Sequence, residues 1–235
     1  MNNKNKKLII KDLGKISYQY GLNQQEKYFS EIIKTKKSNY KKEQLSKTDN
    51  FLLFVEHYPV YTLGKSGDIN NLLTNMESLI EKDIEFFKTN RGGDITFHGP
   101  GQVVVYPILD LDNFFTDIHK YLRTLEEVII STLLDYGISG FRIPGQTGVW
   151  VGNDKFSPKK ICAFGVRASR WVTMHGMSLN VNTNLDYFNN IVPCGINDKG
   201  VTSMKEELGK KILLSEVKKG VTKHFINLFE IEAKI

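Results

Sequence analysis

The spacing of the β-prone runs constrains the fold of this chain more than any other feature. Three short runs, at residues 148–151, 160–167 and 175–181, follow one another too closely for a helical crossover. Parallel strands need a crossover of about a dozen residues or more, so these runs cannot all be joined in parallel. Elsewhere, helices and strands alternate. The pattern predicts an α/β fold of the α+β type, a mixed β-sheet flanked by helices.

Hydrophobic periodicity predicts three amphipathic helices, over residues 17–36, 115–136 and 213–229. Gly137 is predicted to cap the second helix, and Ser215 to be the N-cap of the third. Further strands are predicted at residues 8–11, 51–56, 84–89 and 102–111, the last of them central, with an irregular extended piece at 58–64 and a polar loop at 36–49.

Length and composition favour a single globular domain over residues 1–235, because a chain of 235 residues with 40% apolar residues can bury a sizeable core. No apolar stretch approaches about 18 residues, so no membrane span is expected. The N-terminus lacks the apolar region of a signal peptide. Two cysteines, Cys162 and Cys194, cannot form a disulfide framework, and they suit a reducing, cytoplasmic location. No zinc-type spacing of Cys and His is present, so no metal is expected.

The positive charge lies almost entirely near the N-terminus. The net charge is +6, and residues 1–49 hold twelve lysines against five acidic residues. Two interpretations stay open: a solvated lysine-rich surface, or a docking face for an acidic partner. Nucleic acid fits less well, because arginine is scarce and no basic stripe is interleaved with aromatic residues.

The segment 91–102 is the densest in glycine. Four glycines and a proline lead into the strand predicted at 102–111, so the backbone must approach another group closely. A tight structural turn would account for the glycines alone. Arg91, Thr96 and His98 lie among them, and three polar side chains in a compact loop favour a ligand-facing role.

The two cysteines have different surroundings. Cys162 lies in an apolar strand and is predicted to be a small buried hydrophobic residue. Cys194 lies between Pro193 and Gly195 in a loop, where its thiol is presented. It is either an inert loop cysteine or a candidate nucleophile, and a nucleophile needs a base or a positive charge to lower its pKa. Lys160, His98 and His175 are the candidate activators.

Five blocks of this sequence, taken together, resemble the octanoyltransferases of lipoate synthesis. They occur in that family's order and cover the chain from about residue 51 to 204. The blocks are residues 55–64, 91–102, 160–167, 175–181, and 193–196 with 200–203. Ser178 departs from the family, which usually has Ala there, and residues 36–47 resemble a loop elaboration.

The resemblance implies the fold of the biotin and lipoate protein ligases and a role for each matching residue. Cys194 would be the nucleophile that carries the octanoyl group as a thioester. Lys160 would lower the pKa of that thiol and act as general acid and base. The residues implied to bind the acyl chain are Arg91, Gly92, Gly93, Asp94, Ile95, Thr96, Phe97, His98, Ala163, Phe164, Gly165, Gly176, Met177 and Ser178.

The resemblance also implies the partners. Octanoyl-acyl carrier protein would be the donor, and the acceptors would be lysines of lipoyl domains in 2-oxoacid dehydrogenase complexes and the glycine cleavage H protein. Neither ATP nor a metal would be needed, and no nucleic acid or membrane partner is expected. Backbone N–H groups of the glycine-rich segment would suit the oxyanion of each tetrahedral intermediate. Since acyl carrier protein is acidic, the resemblance makes the second interpretation of the N-terminal lysines, a docking face for an acidic partner, more plausible than the charge alone does.

Two other functions compete with this one. An ATP-dependent lipoate–protein ligase shares the fold, but it activates a free acid as an adenylate and has no need of the Cys194 thiol. A non-catalytic binder of acyl carrier protein or nucleic acid would use only the basic surface, and it would not need both Cys194 and Lys160.

Overall fold

The computed structural model describes residues 4–39, 46–152, 157–192 and 200–232. In chain order its strands and helices are β1 (Ile9–Ile16), α1 (Tyr18–Asn39), β2 (Phe51–His57), β3 (Val60–Leu63), α2 (Met76–Glu81), β4 (Glu85–Lys88), β5 (Ile95–His98), β6 (Gln102–Ile108), α3 (Ile118–Leu134), β7 (Phe141–Ile143), β8 (Gln146–Val151), β9 (Lys159–Ser169), β10 (Val172–Asn180), α4 (Met204–Leu208) and α5 (Leu214–Leu228). Seven strands form one sheet in the order β1-β2-β6-β10-β9-β8-β7. Among the described strands of this sheet, β1 and β2 alone pair in parallel, which confirms the predicted mixed sheet.

Helices cover both faces of this sheet, and the side chains of β6 alternate between the two layers. Val103 and Val105 pack on the side of α3 and α5, whereas Val104 and Tyr106 pack on the side of α1. This alternation follows from the period of two along a strand. Every residue of β6 is buried, as expected for the central strand predicted at 102–111, although the strand ends at Ile108.

A second sheet of three strands, in the order β4-β3-β5, lies beside the first and has its own apolar core. The sequence predicts only β4 among these strands. β3 lies within the piece expected to be irregular, and β5 lies within the glycine-rich segment. Each has four residues, which is too short for a period of two to be recognised among glycines and aromatic residues.

The ends of the helices depend on local capping. α3 begins at Ile118 because the side chain of Asp117 accepts a hydrogen bond from the N–H of Lys120 at 2.9 Å. Gly137 has a φ of +76° just after α3, at the predicted position. The prediction that Ser215 is an N-cap is wrong. The chain enters α5 at Leu213, which makes no side-chain capping bond, and Ser215 lies inside the first turn.

α1 extends to Asn39, so the first residues of the loop predicted at 36–49 are helical. Residues 40–45 of that loop lie outside the described ranges. In the part of the chain that the structure describes, no helix combines the length and the apolar character that crossing a membrane requires.

Candidate active site

A cleft opens between the two sheets, where β5, β6, β9 and β10 meet the start of α1. It encloses about 470 Å³ of empty space, including the part open to solvent. Twelve of the residues predicted to bind the acyl chain line it, namely Arg91, Gly93, Asp94, Ile95, Thr96, His98, Ala163, Phe164, Gly165, Gly176, Met177 and Ser178. Four more residues line it that were not among the predicted binding residues, namely Tyr18, Val104, Tyr106 and His175.

Two predicted binding residues lie outside this lining. The Phe97 ring points into the core of the small sheet, where it stacks on Tyr187 at a centroid distance of 4.4 Å. Alternation along β5 explains this, because Phe97 faces the side opposite to Thr96 and His98. The N–H of Gly92 donates to the carbonyl of Val166 at 2.9 Å, so it is not available to an oxyanion.

The glycine-rich segment lies against β9, and Arg91 bonds it to Thr62 of β3. Its Nη2 donates to the carbonyl of Thr62 at 2.6 Å and to the Thr62 hydroxyl at 2.9 Å, and the side chain is buried. Gly165 permits the close approach, because a Cβ there would lie 2.8 Å from the carbonyl oxygen of Gly92. Any larger residue at position 165 would therefore push the segment away from β9. The glycines thus serve backbone packing at the wall of the cleft.

Hydrogen bonds fix the tautomer of His98. The Nε2 of Gln102 donates to Asn180 Oδ1 at 2.9 Å and to the carbonyl of Phe97 at 3.2 Å, so the Gln102 oxygen faces His98. It lies 2.8 Å from His98 Nδ1, which must therefore carry the proton. Burial lowers the pKa of His98 to about 3, assisted by the nearby His57. The ring is neutral near pH 7, and its Nε2 carries a lone pair.

His57 lies beneath the cleft, next to His98 at a centroid distance of 5.9 Å. Its Nδ1 donates to the carbonyl of Ile16 at 3.2 Å, and its Nε2 accepts from the hydroxyl of Tyr106 at 2.8 Å. Burial lowers the pKa of His57 to about 4. His57 lies in the block 55–64 that carries the family resemblance, but it was not among the residues predicted to act in the site.

His175 is the third buried imidazole. Its backbone has a φ of +58°, and its N–H donates to the side chain of Gln25 at 2.8 Å. Burial, followed by the charges of Arg91 and Arg167, lowers the pKa of His175 to about 3. Neutral imidazoles supply no positive charge at neutral pH. Of the three candidate activators, His98 and His175 are therefore unable to stabilise a thiolate by charge.

These imidazoles make folding stability depend on pH. Below pH 6.5 the unfolded chain binds a proton at position 57, whereas the folded chain does so only near pH 4. The contribution of His57 to the free energy of unfolding is therefore complete above pH 6.5. As the pH is lowered from 6.5 to 4, it falls by about 1.4 kcal/mol per pH unit. We expect His57→Gln to reduce this slope by that amount in urea unfolding at several pH values. Above pH 7 the variant and the wild type should show the same slope, and an unchanged slope of His57→Gln between pH 6.5 and 4 would contradict the assignment.

Cys162 and Lys160 lie on the same strand, β9. Cys162 is fully buried, as predicted, and burial raises the pKa of its thiol well above the ordinary range. A protonated thiol without solvent access is a poor nucleophile. Cys194 lies outside the described residues.

Lys160 lies next to the point where the described chain resumes after residues 193–199. Its backbone N–H donates to the carbonyl of Gly200 at 2.9 Å, and its carbonyl accepts from the N–H of Thr202 at 3.0 Å. The side chain is 7% exposed, and Lys160 is not among the residues that line the cleft. The other end of the stretch is held by Asn71, whose carbonyl accepts from Val192 at 2.8 Å.

A chain of hydrogen bonds connects the cleft to the backbone of Lys160. It runs from His98 through Gln102 to Asn180, whose Nδ2 donates to the carbonyl of Thr202 at 3.0 Å. Gln102 and Asn180 are both buried polar residues on central strands. A polar residue in an otherwise apolar strand is the signal from which the sequence could have indicated this link.

Solved structures show which fold this chain has. The bipartite lipoate protein ligase of Thermoplasma acidophilum matches with a TM-score of 0.70 at 15% identity, covering 97% of this chain and 86% of that one. The biotin protein ligase of Aquifex aeolicus, in complex with biotin and ATP, matches with a TM-score of 0.51 at 15% identity, covering 95% of this chain and 70% of that one. The fold is that of the lipoate and biotin protein ligases, as the resemblance implied.

Sequence comparison is more specific. Residues 18–226 match the family described as the lipoyl protein ligase A/B catalytic domain. An octanoyltransferase of Flavobacterium johnsoniae is 57% identical over 229 residues, which cover 97% of this chain and 99% of that protein. The chain belongs to the octanoyltransferases of this family, and it is an acyltransferase.

Proposed function

We propose that this enzyme transfers the octanoyl group of octanoyl-acyl carrier protein to a lysine of a lipoyl domain, through a thioester on Cys194, in the cytoplasm. The acceptors are the lipoyl domains of 2-oxoacid dehydrogenase complexes and the glycine cleavage H protein. One observation carries the mechanism. The backbone of Lys160, which is the candidate activator other than His98 and His175, is bonded to Gly200, at the end of the stretch that contains Cys194.

The first half-reaction exchanges one thioester for another. The Lys160 ammonium stabilises the Cys194 thiolate, which attacks the octanoyl carbonyl and expels the thiolate of the phosphopantetheine arm. That leaving thiolate takes up a proton from the Lys160 ammonium, and Lys160 becomes a neutral amine. The exchange is nearly isoenergetic, so a protein thiol is a suitable carrier for the acyl group.

The second half-reaction forms an amide. The neutral amine of the acceptor lysine attacks the acyl-enzyme carbonyl, and its surplus proton passes to Lys160 acting as general base. The Cys194 thiolate leaves, and an Nε-octanoyl-lysine remains on the lipoyl domain. Because an amide is more stable than a thioester, this step is effectively irreversible.

The lining of the cleft suits an aliphatic chain. Val104, Phe164 and Met177 provide apolar surface along it. Each buried CH₂ group contributes about 0.8 kcal/mol, so these walls supply much of the acyl recognition. Neither ATP nor a metal takes part in the proposed reaction. In the described ranges, no group of three His, Cys, Asp or Glu side chains is arranged to hold a metal ion.

Part of the lysine surplus near the N-terminus is already paired within the fold. Lys36 forms ion pairs with Asp110 and Asp112, and Lys6 pairs with Glu230 at 2.6 Å. These two lysines are engaged within the fold, so a docking face for an acidic carrier protein would draw on others.

Intact-protein mass spectrometry tests the proposal. We expect the protein, mixed with octanoyl-acyl carrier protein but no ATP, to gain the mass of one octanoyl group. A lipoyl domain added afterwards should remove that mass, and Cys194→Ala should gain none. No adduct, together with acylation of a lipoyl domain only when ATP and free octanoate are present, would instead place the protein among the ATP-dependent ligases.

A further inference from the structure

The side chain of Lys160 lies in a slot on the neighbouring strand β8. Lys160 pairs with Trp150 across the two strands, and its Nζ lies 4.7 Å from the centroid of the indole ring. Trp150 is 1% exposed, so the contact is shielded from water. A shielded ammonium ion over an indole face is a strong form of cation–π interaction.

Gly148 forms the other wall of the slot. A Cβ at this position would lie 3.2 Å from Lys160 Cε and 3.3 Å from Trp150 Nε1. Its φ of +150° is also one that residues with a side chain rarely adopt. Glycine therefore leaves the room through which the lysine side chain reaches the ring.

The slot is anchored to α3 by a buried carboxylate. The N–H of Gly148 donates to Oε1 of Glu126 at 3.0 Å. Glu126 has no exposed surface, and its other oxygen binds Arg123 Nη1 at 2.9 Å and Arg142 Nε at 3.0 Å. These charge-assisted bonds fix the position of the strand that carries Gly148 and Trp150.

We propose that Trp150 is a positioning residue of the transferase, which holds Lys160 as an ammonium ion through its indole face. The inference rests on the proposed role of Lys160 at Cys194. An indole face attracts an ammonium ion more strongly than a neutral amine, so the contact preserves the charge that the Cys194 thiolate requires. The role is distinct from substrate binding, because Trp150 does not line the cleft.

Alkylation of Cys194 by iodoacetamide, measured as a rate against pH and localised by peptide mass spectrometry, tests this role. We expect Trp150→Leu to slow alkylation about tenfold at pH 7 and to move its pH profile towards that of Lys160→Met. Trp150→Phe keeps an aromatic face and should lie between Trp150→Leu and the wild type. Trp171→Leu is the matched control, since Trp171 is 43% exposed in the turn between β9 and β10, and its profile should equal that of the wild type.

A profile of folded Trp150→Leu equal to that of the wild type would overturn the positioning role. Failure of the proposed function would be detected separately, as the absence of an octanoyl adduct on Cys194 of the wild type.

A second measurement leaves Trp150 unchanged. The chain has two tryptophans, so Trp150 is the sole emitter in Trp171→Phe. We expect Lys160→Met in that background to alter the emission and its pH dependence, and identical titrations would overturn the proposal.

Discussion

Replacing Cys194 by Ala is expected to abolish octanoyl transfer, whereas replacing Cys162 by Ala leaves most of it. The two cysteines make a matched pair, because the substitution is the same at both positions. Cys162 is fully buried with a thiol pKa raised well above the ordinary range, so its sulfur takes no part in acyl exchange. Its loss removes a small apolar group from the core, with an effect on stability of about 1 kcal/mol.

The measurement is the initial rate of acylation of a lipoyl domain by octanoyl-acyl carrier protein, with thermal unfolding as the check on folding. Cys194→Ser is a useful third variant, because a hydroxyl of similar size lacks the acidity of a thiol. Its rate should also fall to the background. A comparable loss in Cys162→Ala and Cys194→Ala would contradict the assignment of roles, as would transfer by Cys194→Ala within a few-fold of the wild type.

The fold could be predicted from the sequence where periodicity is long and uninterrupted. The helices α1, α3 and α5 and the strands β2 and β6 fall close to their predicted ranges because each has a clear apolar face or a buried run. The small sheet could not be predicted as a sheet. Its strands are short, and their partners are chosen by packing around Tyr61 and Phe97, which no local pattern reveals.

The candidate site divides in a similar way. Segments 91–98, 163–165 and 176–178 carry family motifs, and the structure brings most of their residues to one cleft. Tyr18 and Tyr106 had no motif, and they reach the cleft because α1 and β6 pack against each other. The sequence also predicts that Phe97 binds the acyl chain, but the alternation of side chains along β5 places its ring in the core of the small sheet. The side chains of β5 can be assigned to its two faces only once the glycine-rich segment is known to contain a strand.

The charge states of the site were beyond the sequence altogether. His98 and His175 were candidate activators beside Lys160 until burial was known, and burial makes both of them, as well as His57, neutral near pH 7. The sequence offers no measure of burial at these positions, since the strands of His57 and His175 also contain other polar residues. Because these imidazoles are neutral, Lys160 is left as the candidate activator of Cys194.

Replacing Lys160 by Ala is therefore expected to reduce octanoyl transfer by about 10²-fold or more, the scale of a lost acid–base group. Its neighbour Lys159 provides the matched control, because it carries the same side chain one residue earlier on β9 and is exposed. Lys159→Ala should retain activity within a few-fold of the wild type. Equal activity of the two variants would make Lys160 a bystander.

A charge-preserving substitution at the same position separates the two roles of Lys160. Arginine keeps a positive charge but does not release its proton near neutral pH. Lys160→Arg should therefore retain more of the first half-reaction than Lys160→Ala, while its octanoyl thioester is discharged slowly by a lipoyl domain and accumulates. Single-turnover mass spectrometry resolves both steps. Equal loss in the two half-reactions of Lys160→Arg would contradict the general-base role and leave only the stabilisation of the thiolate.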